Sequence, residues 1–442
     1  MTILPYKLKT TKDQLTSRAG LLAVAQLLEK LELSKRIDAV FPLPNSNRGI
    51  NPSHYIQTLI MMQHEGCFHL DDVRHLETDT ALKTILGIKK YPKPTSIGDW
   101  LRKTGKHQAT PLSLQKINKT LLGAALHTVK KVTLDIDATE VIANKSSANW
   151  TYKSNKGYMP MLGHIAQTGQ IVACDFRKGN QSPNSNNLEF IKQCQEALPD
   201  GCHITLLRID AAGYQIAIIK HCDEEDIQYA IRAVMSSVIK EQIDAAKESE
   251  WQPLLNKKGE EIENQETLRI HHWIGDYEKP FTLVIQRKGF KGQTELELED
   301  PNNQQEIISK GYVYRSIATN RESLSDSQLI HWYNQRGEDS ENRIKELKLD
   351  FGGGTLPCSD FDANALYFNI AALSYNLFAL MRQLLPESLA RHRAITIRWR
   401  LYAMAAKVVK TGRQTFIKLR HAHHSLLAEV LEALRRFEPP PI

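Results

Sequence analysis

Apolar positions recur at helical spacing through the first hundred-odd residues, in LLAVAQLLEKLEL (21–33), SHYIQTLIMMQHEGC (53–67) and DVRHLETDTALKTILG (72–87). This predicts a series of amphipathic helices. Pro92 and Pro94 interrupt it, and Thr95 or Ser96 is placed to cap a further helix over IGDWLRKTG. From residue 131 the period falls to two: in VTLDIDATEV, Val132, Leu134 and Ile136 alternate with Thr133, Asp135, Asp137 and Thr139. Such a strand displays two carboxylates on one face. GYMPMLGHIA (157–166) and QIVACDF (170–176) are also strand-like, and Gln167-Thr168-Gly169 suits the hairpin between them. A helix at NLEFIKQCQEAL, a strand at HITLLRID, a helix at YQIAIIKHC and a strand at IQYAIRAV follow.

The predicted order is therefore strand, strand, strand, helix, strand, helix, strand. Three antiparallel strands extended by parallel strands through helical crossovers give an α/β fold, a ribonuclease-H-like mixed sheet with flanking helices. Its closing helix is delayed by residues 235–320, a polar stretch with strand-like runs at HHWIGDY, FTLVIQRKGF and GYVYRSIAT, which reads as a mostly β insertion. Helix resumes at ESLSDSQLIHWYNQRG, with Ser325 or Asp326 as cap, and dominates to about residue 385. The apolar run at 363–381 is broken by Asn364, Asn369, Ser374 and Asn376, so a buried helix explains it better than a membrane span. The closing region is strand-like around Thr411-Gly412-Arg413 and ends in an amphipathic helix, SLLAEVLEALRRF.

Composition narrows the class. The chain has 442 residues, 41% hydrophobic and 24% charged, which excludes disordered, collagen-like and disulfide-scaffold proteins. The net charge is +7, yet Arg391, Arg393, Arg398, Arg400, Lys407, Lys410, Arg413, Lys418 and Arg420 fall within thirty residues that contain no acid. That local excess points to a polyanion, most often nucleic acid. Cysteines at 67, 174, 194, 202, 222 and 358 form no CxxC pair, as expected of reduced thiols. The first twenty residues lack the apolar core of a signal peptide, so a cytoplasmic location without a membrane partner is expected.

Asp137 and Asp210 end the first and fourth predicted strands, which are neighbours in the topology above. Ligands gather at such strand ends in α/β sheets. Two close carboxylates imply a shared proton or a hard divalent cation such as Mg²⁺ or Mn²⁺. A third acid is available in YNQRGEDSENRIKELKLDFG, where Glu341, Lys345 and Lys348 share a helical face and Tyr333 and Arg336 occupy the preceding turns. By itself that spacing is also an ion-pair ladder. Asp135 competes with Asp137, being two residues away on the same face. Three other features carry less. Gly352-Gly353-Gly354 lacks the Gly-Lys-Ser/Thr of a P-loop. His421, His423 and His424 lack a fourth ligand. Trp251 and Trp273 in the insertion are read as packing residues.

LDIDATE, LLRIDAAGY and YNQRGEDSENRIKELK resemble the DDE transposases of bacterial insertion sequences, in the branch marked by Tyr-x-x-Arg, then Glu, then Lys seven positions on. The resemblance spans residues 125 to 385. It implies Asp137, Asp210 and Glu341 as catalytic acids holding two Mg²⁺ ions, replaceable by Mn²⁺, with Tyr333, Arg336 and Lys348 at DNA phosphates. Four residues separate Arg336 from Glu341, where the family usually has three, so either Gly337 to Ser340 holds a one-residue bulge or Glu338 competes for the role, and the Glu341-to-Lys348 spacing favours Glu341. The implied activity is metal-dependent cleavage at transposon ends and transfer of the 3′-hydroxyl into target DNA. The implied partners are double-stranded DNA, as inverted-repeat ends and target, and a second copy in a synaptic complex. The alternatives are a domesticated protein that binds DNA without cutting and a host nuclease. The expected domains are a helical DNA-binding domain over 1–125, a catalytic domain over 126–385 with the insertion at about 235–320, and a basic region over 386–442.

Overall fold

The structure is a computed structural model, and it describes residues 8–46, 48–275, 277–290 and 305–440 together with all side chains there except those of Glu338 and Asp339. The chain divides into two compact units, one of residues 1–124 with 346–442 and one of residues 125–345. Residues 346–385, expected with the catalytic domain, pack with the N-terminal helices instead.

In the first unit the helices Leu22–Lys30, Pro52–Glu65 and Pro94–Gly105 occupy stretches that periodicity predicts, the stretch 72–87 forms two short helices, Val73–Thr78 and Thr80–Leu86, and Leu33–Val40 is a further helix outside those stretches. Pro52–Glu65 and Pro94–Gly105 pack on the helix Phe361–Leu384, whose side chains from Ile370 to Met381 are all buried. Its interrupting polar residues are satisfied internally: the Ser374 hydroxyl donates to Gln63 Oε1 at 2.5 Å and Asn376 Nδ2 to Asn118 Oδ1 at 2.7 Å. No helix among the described residues is long and apolar enough to cross a membrane. Strand β1 (Gln14–Thr16) pairs with β15 (Ala406–Thr411), which forms a hairpin with β16 (Gln414–Leu419).

The basic stretch is partly consumed inside this unit. Arg398 donates to the carbonyls of His64 at 2.7 Å, Gln63 at 2.9 Å and Asp350. Lys407 pairs with Asp13 and Arg393 with Asp350, both at 2.8 Å. Arg391 pairs with Glu387 at 3.1 Å, and Arg400 bonds the His392 ring at 2.9 Å. What remains exposed without such a partner among the described residues is the hairpin's own set, Lys410, Arg413, Lys418 and Arg420. Gly353 and Gly354 donate back to the carbonyls of Leu347 and Lys348 at 3.0 Å, so the triple glycine closes a helix end.

The second unit is built on one large mixed sheet. In chain order its strands are β2 (Lys131–Ala138), β6 (Met161–Ile165), β7 (Ile171–Asp175), β8 (His203–Ile209), β9 (Gln228–Arg232), β10 (Gln252–Leu255), β11 (Glu261–His272), β12 (Phe281–Gly289), β13 (Ile307–Ser309) and β14 (Tyr312–Thr319). Side by side they run β10-β11-β12-β14-β9-β8-β2-β6-β7, with β13 on β14. β2, β8 and β9 are mutually parallel, and β6 and β7 are antiparallel. The insertion therefore extends the main sheet, through antiparallel pairing of β14 with β9, and it also contains the helix Ser237–Ala245.

GYMPMLGHIA does not form one strand. Pro160 has no N–H to give a ladder, and its carbonyl accepts from Thr139 at 2.9 Å. Residues before it instead form β5 (Lys156–Tyr158), which sits between β3 (Val141–Ile142) and β4 (Asn149–Trp150) in a small separate sheet. The polar face of β2 is not a solvent face either: Thr133 and Asp135 are buried. The long helix Asp326–Asp350 covers it. That helix anchors on the insertion, where Leu329, Ile330 and Tyr333 share a core with Ala230, Leu254, Val284 and Ile317.

Candidate active site

Parallel pairing of β2 with β8 sets the site. Asp135 stands in register with Arg208 and Ile136 with Ile209, so the next residues, Asp137 and Asp210, leave the two strand ends side by side. Strand neighbours lie roughly 4.8 Å apart, which places the two carboxylates at one location. Asp210 is held in place by capping the short turn Ala211–Gly213, its Oδ1 accepting from the Ala212 amide at 3.0 Å. Burial pushes the Asp137 carboxyl up to about 6, and the Asp210 charge adds to the rise while Arg336 opposes it. Its side chain is still 27% exposed, so solvent or a ligand reaches it.

The long helix supplies the roof. The Tyr333 hydroxyl donates to the Ile209 carbonyl at 3.3 Å, and Arg336 Nη1 donates to the Ile136 carbonyl at 3.1 Å. The same nitrogen lies 3.7 Å from Asp137 Oδ2. Burial disfavours the Arg336 charge, but Tyr333, Asp137 and Asp210 outweigh it and raise the guanidinium pKa. Its Nε is buried without a partner, leaving a donor unsatisfied next to two carboxylates. Further along the same face Ser340 bonds His164 Nε2 at 3.0 Å, and Arg343 donates to the carbonyls of Ile165 and Ala166 at 3.0 and 2.6 Å. The spacing of 333, 336, 340 and 343 is that of one helical face.

Asp135 belongs to the foundation of the site. Arg208 grips it with two bonds, Nε to Oδ1 at 2.6 Å and Nη2 to Oδ2 at 2.7 Å, and neither residue is solvent-exposed. Arg208 also donates to the Trp332 carbonyl at 2.5 Å and lies over that indole ring. Arg208 takes both oxygens of Asp135, whereas Asp137 has Arg336 Nη1 at 3.7 Å and stays partly exposed.

The structure thus brings Asp137, Asp210, Tyr333 and Arg336 together. Glu341 is exposed, five residues beyond Arg336, which is about 7.5 Å along the helix and about 140° around it. Lys348 follows seven residues later on the same helix. The Glu338 side chain lies outside the described residues. No group of three His, Cys, Asp or Glu side chains able to hold a metal ion forms among the described residues, His421, His423 and His424 included. The all-oxygen pair Asp137–Asp210 does suit a hard divalent cation, because the repulsion and burial that raise the Asp137 pKa are what such an ion would offset. Trp251 is buried beneath Arg287, whereas Trp273 is exposed.

Sequence reasoning missed Arg208, His164, Ser340 and Arg343. A signal for the first was present: Arg208 stands two residues before Asp210 as Asp135 stands two before Asp137. Parallel strands in register make both pairs neighbours.

Comparison with known proteins bears on the chemistry. The sequence model of a family described as transposase DDE domain group 1 matches residues 5–439. No curated protein matches the chain. Among solved structures, the chain is similar to a piggyBac transposase synaptic complex with hairpin DNA, at 13% identity and a TM-score of 0.45, over 98% of this chain and 85% of that one.

Proposed function

The chain belongs to the transposase DDE domain family, and from that premise we propose that it is the cut-and-paste DNA transposase of a bacterial insertion sequence, working in the cytoplasm as a homodimer on DNA. The observation that carries this reading is the placement of Asp137 and Asp210 side by side at neighbouring parallel strand ends beneath Arg336. The strand order β7-β6-β2-β8-β9 with its mixture of directions supports a ribonuclease-H-like core. The helices of residues 1–125 are the proposed reader of the DNA ends.

Asp137 and Asp210 would hold Mg²⁺ or Mn²⁺, with Glu341 as third ligand. Divalent ions in such a site activate the attacking oxygen and stabilise the leaving one in an in-line displacement at phosphorus. The chain's own groups do the rest. Arg336, tethered to the Ile136 carbonyl, offers its unpartnered Nε to a phosphate oxygen. Tyr333 keeps the helix at the Ile209 strand end. Lys348 serves as a point charge for phosphate further along the helix.

Incubating the protein with Mg²⁺ and linear DNA carrying the sequences that flank its gene, then sequencing the junctions, tests the reading. Cuts at inverted-repeat ends with 3′-hydroxyls joined to target DNA are expected. Scattered hydrolysis without joining would make the protein a nuclease. Binding without cutting is favoured by one observation, the exposure of Glu341 away from the pair, and the same experiment decides it.

The basic region divides by role. Replacing Lys410, Arg413 and Lys418 by Gln is expected to flatten the salt dependence of DNA binding by up to about 0.9 in log–log slope per lost phosphate contact. Arg398→Met is expected instead to destabilise the first unit by about 2–4 kcal/mol, because it strands backbone carbonyls that the guanidinium now satisfies. Thermal melting and salt-titrated gel shifts of both variants separate the two effects. A salt slope altered by Arg398→Met with an unchanged melting temperature would return Arg398 to the DNA surface.

A further inference from the structure

Between the end of β2 at Ala138 and the start of β6 at Met161, the chain builds the small sheet β3-β5-β4. Both connections leave from the edge of the main sheet that carries Asp137, since Asp137 pairs with Leu162 and Ala138 with Met161. Val141 is four residues beyond Asp137, which caps the separation at about 14 Å of extended chain. This flap is tied down from within. Glu140 accepts from the Thr151 hydroxyl and, at 3.1 Å, from Asn155 Nδ2. The Ser147 and Tyr158 hydroxyls bond at 2.6 Å. A Cβ on Gly157 would lie 2.3 Å from the Val141 carbonyl oxygen, and one on Gly179 would lie 2.4 Å from the carbonyl oxygens of Asn149 and Gly157. Only glycine permits backbones this close.

On that fixed frame two aromatic side chains stand in solvent: Trp150 is 68% exposed and Tyr152 64%. Each has a cation as neighbour. Trp150 faces Lys156 directly across the strands, and Lys153 Nζ lies 5.6 Å from the centre of the Tyr152 ring. From Val141 to Tyr158 there are three lysines, the third being Lys145, and no acid. Lys178, exposed, joins the flap through a bridge to Tyr158. None of the four has an ion-pair partner among the described residues. Large aromatics are normally buried, so the exposure of Trp150 on β4 and of Tyr152 in the turn that joins β4 to β5 calls for a planar, anionic occupant.

We propose that the flap holds unpaired nucleotides bordering the phosphate at Asp137 and Asp210, with Trp150 and Tyr152 stacking on bases and Lys145, Lys153, Lys156 and Lys178 meeting the backbone. Bases inside a duplex hide their faces, whereas single-stranded ones offer a π-surface to any aromatic. The flap therefore selects DNA that has been opened beside the cut. The placement at the cut rests on the DNA-cutting function proposed above; the preference for unpaired bases is tested without it.

The experiment measures binding of the full-length protein to fluorescein-labelled oligothymidylate of about a dozen nucleotides and, separately, to a blunt duplex without the gene's flanking sequences. The double variant Trp150→Ala, Tyr152→Ala is expected to lose about tenfold or more in oligothymidylate affinity and nothing on the duplex. Trp150→Phe, which keeps a stacking ring, is expected to retain most of the affinity. Both substituted side chains are exposed, so circular dichroism should match the wild type. Unchanged oligothymidylate affinity in the double variant overturns the proposal, as does an equal loss on the blunt duplex. No cleavage is read, so a protein that proves unable to cut leaves this result standing, and a flap without base preference leaves the cutting chemistry untouched.

Discussion

Asp137→Asn and Asp210→Asn are each expected to lower divalent-ion-dependent DNA cleavage by at least about a thousandfold while leaving the melting temperature unchanged or slightly raised. The two carboxylates stand at adjacent strand ends, and burial together with the Asp210 charge lifts the Asp137 pKa to about 6. Ionising both is costly in the absence of a cation, so a neutral amide at either position relieves the fold as it removes a ligand. The same logic predicts a second readout. Adding Mg²⁺ should raise the melting temperature of the wild type, because a ligand that binds only the folded state stabilises it. Neither variant should respond to the same degree. Cleavage retained in Asp137→Asn, or an undiminished Mg²⁺ response in both variants, would place the metal elsewhere.

How much of the fold and site is legible in the sequence differs along the chain. The strand at 131–138 is readable from its alternation, and the pairing of first and fourth strands follows from the crossover order; together they bring Asp137 and Asp210 to one place. The choice between Asp135 and Asp137 is not readable, because both point to one face and period two cannot separate them. Arg208 separates them in three dimensions by occupying both oxygens of Asp135. The basic stretch misleads for a related reason. Charge density along a sequence does not reveal which cations find carbonyls or carboxylates in their own fold, and Arg398, Arg393 and Lys407 all do. Pro160 is a visible signal that periodicity overrides: its missing N–H is enough to split 157–166 and to announce the flap. At Glu341 helical arithmetic and family spacing disagree by one residue, and the helix follows the arithmetic.

Breaking the Asp135–Arg208 pair is the substitution expected to cost the most stability. Arg208→Met should destabilise the second unit by about 3–5 kcal/mol, because it leaves a carboxylate with no solvent exposure facing an apolar side chain. The loss reaches the long helix too, since Arg208 ties the Trp332 carbonyl to the sheet. Burial by itself disfavours the Asp135 charge, and the paired short bonds from the guanidinium work against that. Removing both charges is a different matter. The double variant Asp135→Leu, Arg208→Met should recover much of the stability, because a buried pair contributes little net energy over apolar residues of similar size. The two aspartates of the same strand would then show opposite behaviour: at Asp137 chemistry is lost and the fold kept, at Asp135 the fold is weakened first. Tryptophan-fluorescence melting of the wild type, Arg208→Met, the single variant Asp135→Leu and the double variant reads the coupling directly. A melting temperature of Arg208→Met within a degree or so of wild type would mean that the carboxylate finds another partner, and Asp135 would again be a candidate ligand for the metal.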